Sequence, residues 1–208
     1  MYFMNSLRNA ARRMLQTYAT KGVKRILWNT EFSGVRWACL DNTSGDCVYH
    51  YIQKYANQGS ILDLGCGSGN TGVELDSSAY QDYTGVDISD VAIRRAKAKT
   101  EEHGRKGKNQ YVQDEILSYV PSQQFDVILL RDSIYYLPTS KVKAMLSRYG
   151  RYLKENGVFI VRLWSVRGRY RVIEELIRKD FRVIDRTVSD RVDGVVMVFQ
   201  TENSSYTL

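Results

Sequence analysis

Ile61-Leu62-Asp63-Leu64-Gly65-Cys66-Gly67-Ser68-Gly69-Asn70 decides the fold of this chain. It begins as a short apolar run and passes into glycines at every second position. A strand buried on both faces of a parallel sheet reads as such a continuous run. The glycines let the backbone turn sharply and approach a ligand where a Cβ would intrude. Thr71 to Glu74 can then start a helix whose first amide N–H groups face that ligand. Strand, tight turn and helix together open a nucleotide-binding α/β unit.

The spacing restricts the nucleotide. A dinucleotide fingerprint needs G-x-G-x-x-G/A; the count from Gly65 fails at Asn70, whereas Gly67-x-Gly69-x-x-Gly72 meets it, so the choice rests on the acid before the glycines. No Gly-Lys-Ser/Thr follows, which excludes a Walker-type phosphate loop. The pattern is Asp63-x-Gly65-x-Gly67-x-Gly69. A carboxylate at the strand end repels a pyrophosphate and suits a ligand bearing an ammonium group.

Further strands follow at regular distances. Tyr83 to Ser89 reads as a second strand ending in Asp87, 18 residues after Gly69. That is close to the roughly 20-residue spacing of an acid that accepts from ribose hydroxyls. Ser89 caps a helix over Asp90 to His103, with Gly104 as its stop. Tyr111-Val112-Gln113-Asp114-Glu115 is a third strand with acids at its end. Phe125 to Leu130 is a fourth, buried strand. Thr139 or Ser140 caps a helix expected to run to Glu155, and Gly157 leads into a fifth strand ending at Arg162-Leu163-Trp164. Tyr170 to Lys179 has helical spacing. Phe181–Asp185 and Val195–Phe199 are two final strands joined by a turn-rich segment.

This constellation resembles the class I S-adenosylmethionine (SAM)-dependent methyltransferases, over about residues 61 to 200. The resemblance implies a Rossmann-like α/β three-layer sandwich, with a seven-stranded, mostly parallel sheet and an antiparallel last strand. It also implies SAM as cofactor and S-adenosylhomocysteine as product. Asp63 and the loop Gly65, Cys66, Gly67, Gly69 and Asn70 would hold the methionine part. Asp87, with Ile88 beside it, would hold the ribose, and Asp114 or Glu115 the adenine. Arg131 and Asp132 would flank the sulfur end through their backbone. The segment Arg131-Asp132-Ser133-Ile134-Tyr135-Tyr136-Leu137-Pro138 lies where an open α/β sheet places its ligand. It lacks the Asn/Asp-Pro-Pro-aromatic signature of the members that act on base nitrogens and glutamine amides. It looks more like the loop of small-molecule members. Tyr135 and Tyr136 are therefore candidate catalytic residues, with one expected to reach the pocket. His50, on a helix starting near Asp46, is a third. Arg36, Trp37 and Trp164 are candidate substrate-pocket residues.

At 208 residues the chain can bury one core of its own. The expected division is an N-terminal helical cap or lid over residues 1–58, a SAM-binding core over 59–202 and a tail over 203–208, within a single domain. Cys39, Cys47 and Cys66 are scattered and only two histidines are present, so no metal site is expected. No apolar run reaches membrane-spanning length, and no secretory signal pattern is seen. The expected location is cytoplasmic.

The net charge of +7 is compatible with diffuse solvated charge or an anionic partner. Residues 1–20 carry Phe3, Leu7, Ala11, Met14, Leu15 and Tyr18 along one helical face, with Arg8, Arg12 and Arg13 on the other. Three readings stand: a helix docked on the domain or over its site, a membrane-surface helix, or a transit peptide, for which serine is scarce. The leading function is a methyltransferase acting on a small molecule. The alternatives are an RNA or protein methyltransferase, for which the charge argues, and a non-catalytic SAM-binding domain.

Overall fold

The computed structural model describes residues 2–34, 43, 45–164, 169–188 and 194–201. Two helices come first, α1 (Tyr2–Tyr18) and α2 (Lys21–Ser33), followed by α3 (Val48–Ala56). The glycine-rich turn joins β1 (Ser60–Leu64) to the short α4 (Asn70–Glu74). The order continues β2 (Asp82–Asp87), α5 (Asp90–Glu102), β3 (Asn109–Gln113) and β4 (Phe125–Arg131). After a 3₁₀ turn, Ile134–Tyr136, come α6 (Thr139–Gly150), β5 (Leu153–Leu163), α7 (Arg169–Asp180), β6 (Arg182–Val188) and β7 (Val195–Gln200).

The seven strands form one sheet in the order β3-β2-β1-β4-β5-β7-β6. β7 runs antiparallel to both β5 and β6, and the other paired neighbours are parallel. The expected three layers are present. Successive residues of a strand point to opposite faces, so Leu62, Ile128, Leu130 and Phe159 pack with Val142, Leu146 and Ile177 of α6 and α7. Ile61, Val127, Leu129 and Ile160 pack with Val48 and Ile52 of α3 and Ile93 of α5.

The sheet reverses direction of growth between β1 and β4, where an open α/β sheet binds its ligand. At that point Ser133 Oγ donates to the Leu64 carbonyl at 2.6 Å. Gly65, at φ +87°, has room only for hydrogen, because a Cβ would sit 2.4 Å from Ser133 Cβ.

Two boundaries differ from expectation. α6 ends at Gly150 instead of Glu155, and β5 already begins at Leu153. A Cβ on Gly150 would stand 2.5 Å from Thr201, so the chain after β7 closes over the helix end. The strand then tolerates Asn156 at φ 64° through a register shift opposite Phe125 and Val127. The second difference is α2. Lys21–Ser33 is a helix that apolar spacing did not announce.

Candidate active site

Two buried acids flank the loop after β1, and one of them, Asp87, bonds it. Asp63, at the core of β1, accepts from Tyr83 OH at 2.5 Å through Oδ2. Its other oxygen, Oδ1, is buried and has no hydrogen-bond partner. Asp87, at the end of β2, accepts from the Gly67 N–H at 3.0 Å through Oδ2 and from the Ser89 N–H at 2.8 Å through Oδ1. Burial pushes both carboxyls up to about 6. An orphaned carboxylate oxygen beside a glycine turn is a site for a cationic or hydrogen-bond-donating group. The residues present therefore fit an ammonium-bearing nucleoside ligand.

These shifts have a consequence for stability. An acid with a higher pKa folded than unfolded binds more protons in the folded state between about pH 4 and 6, so stability falls as pH rises through that window. Each carboxyl contributes on the order of 3 kcal/mol of destabilisation above it. Asp90, held below the usual range by Asn29 and Arg25, stays ionised throughout and does not offset this. The ligand-free protein is expected to melt higher at about pH 5 than at about pH 7.5. A flat or opposite profile in thermal unfolding would place the two carboxyls in a more polar environment.

A cavity of about 450 Å³ opens beside this loop. Asp63, Gly65, Cys66, Gly67, Asn70, Asp87, Ile88, Glu115, Arg131, Asp132, Tyr135, Tyr136 and Trp164 all line it. Both tyrosines reach it, not one. Tyr136 meets Trp28 edge-to-face with ring centres 4.7 Å apart, and Tyr135 lies 4.9 Å from Tyr136.

Four expectations differ. Gly69 is not among the lining residues; a Cβ there would lie 2.7 Å from Ala96 Cβ and 2.9 Å from Tyr111 OH, so this glycine lets the loop press onto α5 and β3. Asp114 does not line the cavity and pairs with Lys21 at 2.5 Å. His50 is exposed, stacks edge-on to Tyr51 and is absent from the cavity wall. It is about half a turn out of phase with Val48 and Ile52, which α3 buries. Arg131 and Asp132 contribute side chains, not only backbone. Arg36 and Trp37 lie outside the described residues.

The Arg131 guanidinium donates to Tyr49 OH at 2.8 Å, Thr71 Oγ1 at 3.3 Å and Asp46 Oδ2 at 3.1 Å. Arg162 bridges Asp46, at 3.3 Å, and Asp132. Trp164 lies over the Arg162 guanidinium, 4.8 Å from its centre. Asp132 sits in the left-handed region at φ 54°, and its Oδ1 is buried without a partner. Burial pushes its carboxyl up, against the pull of Arg162 and Arg131.

The sequence reading missed the part of the wall that α2 supplies. Lys24, Trp28 and Phe32 line the cavity, and Phe32 covers Gly67. Lys24 pairs with Glu115 at 2.7 Å, Arg25 with Asp90 at 2.8 Å, and Asn29 meets Ser89 and Asp90. The available signal was charge: residues 1–30 hold six Lys/Arg, and the acids that end β2 and β3 await partners.

Among the described residues no group of ligating side chains could hold a metal ion, and no helix is long and apolar enough to cross a membrane.

Residues 61–157 match the family model described as a methyltransferase domain. The mRNA cap guanine-N(7) methyltransferase of Schizosaccharomyces pombe is 32% identical over 123 residues, which cover 52% of this chain and 34% of that protein. A sterol 24-C-methyltransferase of Pneumocystis carinii is 26% identical over 149 residues, 69% of this chain and 39% of that one. The chain thus spans well under two thirds of the length of these relatives. Among solved structures, the N-methyltransferase NodS of Bradyrhizobium japonicum with S-adenosylhomocysteine superposes with a TM-score of 0.68 at 16% identity, over 86% of this chain and 98% of that one. The magnesium protoporphyrin IX methyltransferase of Synechocystis with bound SAM gives 0.67 at 16% identity, over 87% and 97%. At these identities the likeness is one of fold. Over residues 61–157 the chain matches a methyltransferase domain, and its strand order and the acid-flanked glycine turn at the switch point agree with that match.

Proposed function

We propose that this chain transfers a methyl group from SAM to a small-molecule acceptor. The observation that carries the proposal is the glycine turn flanked by the buried acids Asp63 and Asp87, opening into an aromatic-walled cavity. When bound, SAM supplies a methyl on a positively charged sulfur that leaves as a neutral thioether.

The chain's own residues then bind, orient and exclude water. Asp63 Oδ1 and the Gly65–Gly67 backbone would hold the amino-acid end, Asp87 the ribose hydroxyls and Glu115 the adenine amino group. Lys24 already occupies Glu115, so an adenine there shares or displaces that ion pair. The rings of Tyr135, Tyr136 and Trp28 face the cavity and favour a positive charge across their π-faces. The phenols of Tyr135 and Tyr136, and Asp132 with its unpartnered oxygen, are the groups fit to orient an acceptor and hold its proton. Trp164 closes the far wall.

About 450 Å³ lies within the range of small-ligand pockets. The likeness to a cap methyltransferase and the net charge of +7 favour a second reading, an RNA acceptor. One experiment separates the two. The protein and methyl-labelled SAM are added to a cell extract split into metabolite, RNA and protein fractions. Label is expected in the metabolite fraction. Label in RNA, lost steeply as salt rises, or in protein would overturn the small-molecule assignment.

A further inference from the structure

α1 and α2 are amphipathic in the reverse sense to a helix docked on a soluble domain. Such a helix buries its apolar stripe and exposes its polar face. Here Gln16, Thr17, Lys24 and Glu31 are buried. Met14, Leu15, Tyr18, Val23 and Ile26 point outward, with Met14, Tyr18 and Ile26 each about two-thirds exposed. Five of the eleven large apolar side chains exposed among the described residues thus fall between residues 14 and 26.

The inward polarity has a local cause. Beneath these helices lie the acids that end β2 and β3 and the cavity mouth. Lys24 meets Glu115, Gln16 and Arg12 meet Glu31, and Arg13 and Gln16 line the cavity. The outward stripe has no such cause inside the domain. On α1, Met14 and Tyr18 are one turn apart and Leu15 adjoins them, so they share one face. The expectation that this face packs on the domain is therefore reversed by the structure. A concentrated exposed apolar face marks an interaction surface.

Charge selects the partner. Residues 1–30 carry six Lys/Arg and no acid, and Arg94, Arg95 and Lys97 on the neighbouring α5 add three more. Arg12 pairs with Glu31, Lys21 with Asp114, Lys24 with Glu115, and Arg25 and Arg94 both with Asp90, so these nine cations stand against four acids. A positive excess remains. A second copy docking through a twofold axis would set this excess against itself. An anionic bilayer accepts both halves of the pattern, apolar side chains at the acyl boundary and cations at the headgroups.

We infer that the outward face of α1 and α2 docks on an anionic lipid surface. The inference stands apart from the proposed reaction, because neither the stripe nor the charge depends on a methyl donor.

The test is flotation of the full chain with phosphatidylcholine vesicles, with and without about one third phosphatidylglycerol. Wild type is expected to float with the anionic vesicles only. Met14→Ser, Tyr18→Ser and Ile26→Ser combined are expected to weaken that binding about tenfold or more, with an unchanged thermal melt because all three side chains are outside the core. Three results would overturn the inference. Wild type could remain unbound to anionic vesicles. The triple variant could bind as well as wild type with its melt intact. Sedimentation velocity could show a wild-type dimer that the triple variant dissociates, which assigns the face to a second copy. Unaltered S-adenosylhomocysteine binding by a variant that no longer floats would separate this face from the site.

Discussion

Asp87→Ala is expected to abolish S-adenosylhomocysteine binding, with an affinity loss of about a hundredfold or more. Asp87 has two tasks. Its Oδ2 receives the Gly67 N–H and draws the glycine turn toward β2, and Oδ1 receives the Ser89 N–H at the start of α5. It is also the carboxylate at the end of β2, where ribose hydroxyls would donate. A charge-assisted hydrogen bond contributes about 1.5–3 kcal/mol, so losing those bonds and the turn geometry reaches a hundredfold. Stability should change much less. The alanine removes two backbone contacts but also a buried carboxylate whose ionisation burial opposes. Asp87→Asn keeps one of the two backbone contacts, because its single amide oxygen can accept one N–H while its NH2 faces the other. It should lose most of the affinity with a smaller disturbance of the turn than Asp87→Ala. Calorimetric titration of the three proteins measures this. Wild-type affinity in Asp87→Ala would remove Asp87 from the site.

The second large effect concerns stability. Arg131→Met is expected to destabilise the fold by about 3–5 kcal/mol, the usual cost of removing one partner from a buried ion pair. In a chain of this size that lowers the melting temperature by roughly 10 °C. The guanidinium joins Asp46, Tyr49 and Thr71, and so ties the segment before α3 to β4 and α4. Methionine fills the volume and leaves Asp46 to Arg162 alone. Asp46→Asn in the same background should recover part of the loss, since it removes a buried carboxylate left with one cation instead of two. Strict additivity of the two substitutions would show that Arg131 and Asp46 do not share one network.

The sequence disclosed most where residues act within one local unit. Asp63 and the glycines were legible because strand, turn and helix follow in adjacent residues. Asp87 was legible through its spacing, and the seven-stranded, mostly parallel sheet with an antiparallel last strand followed from the family resemblance. Less was legible where the partner is remote in sequence. Arg131 and Asp132 read as loop backbone because their partners, Asp46 and Arg162, belong to other elements. Asp114 and Glu115 could not be separated until Lys21 and Lys24 showed which one faces the cavity. α2 was missed because its buried positions, Lys24 and Glu31, are charged, so the usual apolar periodicity is inverted. Gly69 illustrates the same point. Its Cβ-free surface serves Ala96 and Tyr111, which lie in elements the turn itself does not specify.

The central claim is that the turn between Asp63 and Asp87 is a SAM cradle and not a dinucleotide site. Isothermal titration of the full chain with S-adenosylhomocysteine and, separately, with NAD tests it most directly. The account predicts saturable S-adenosylhomocysteine binding with a Kd on the order of micromolar and no heat from NAD. Absent S-adenosylhomocysteine binding, or saturable NAD binding in its place, would contradict it.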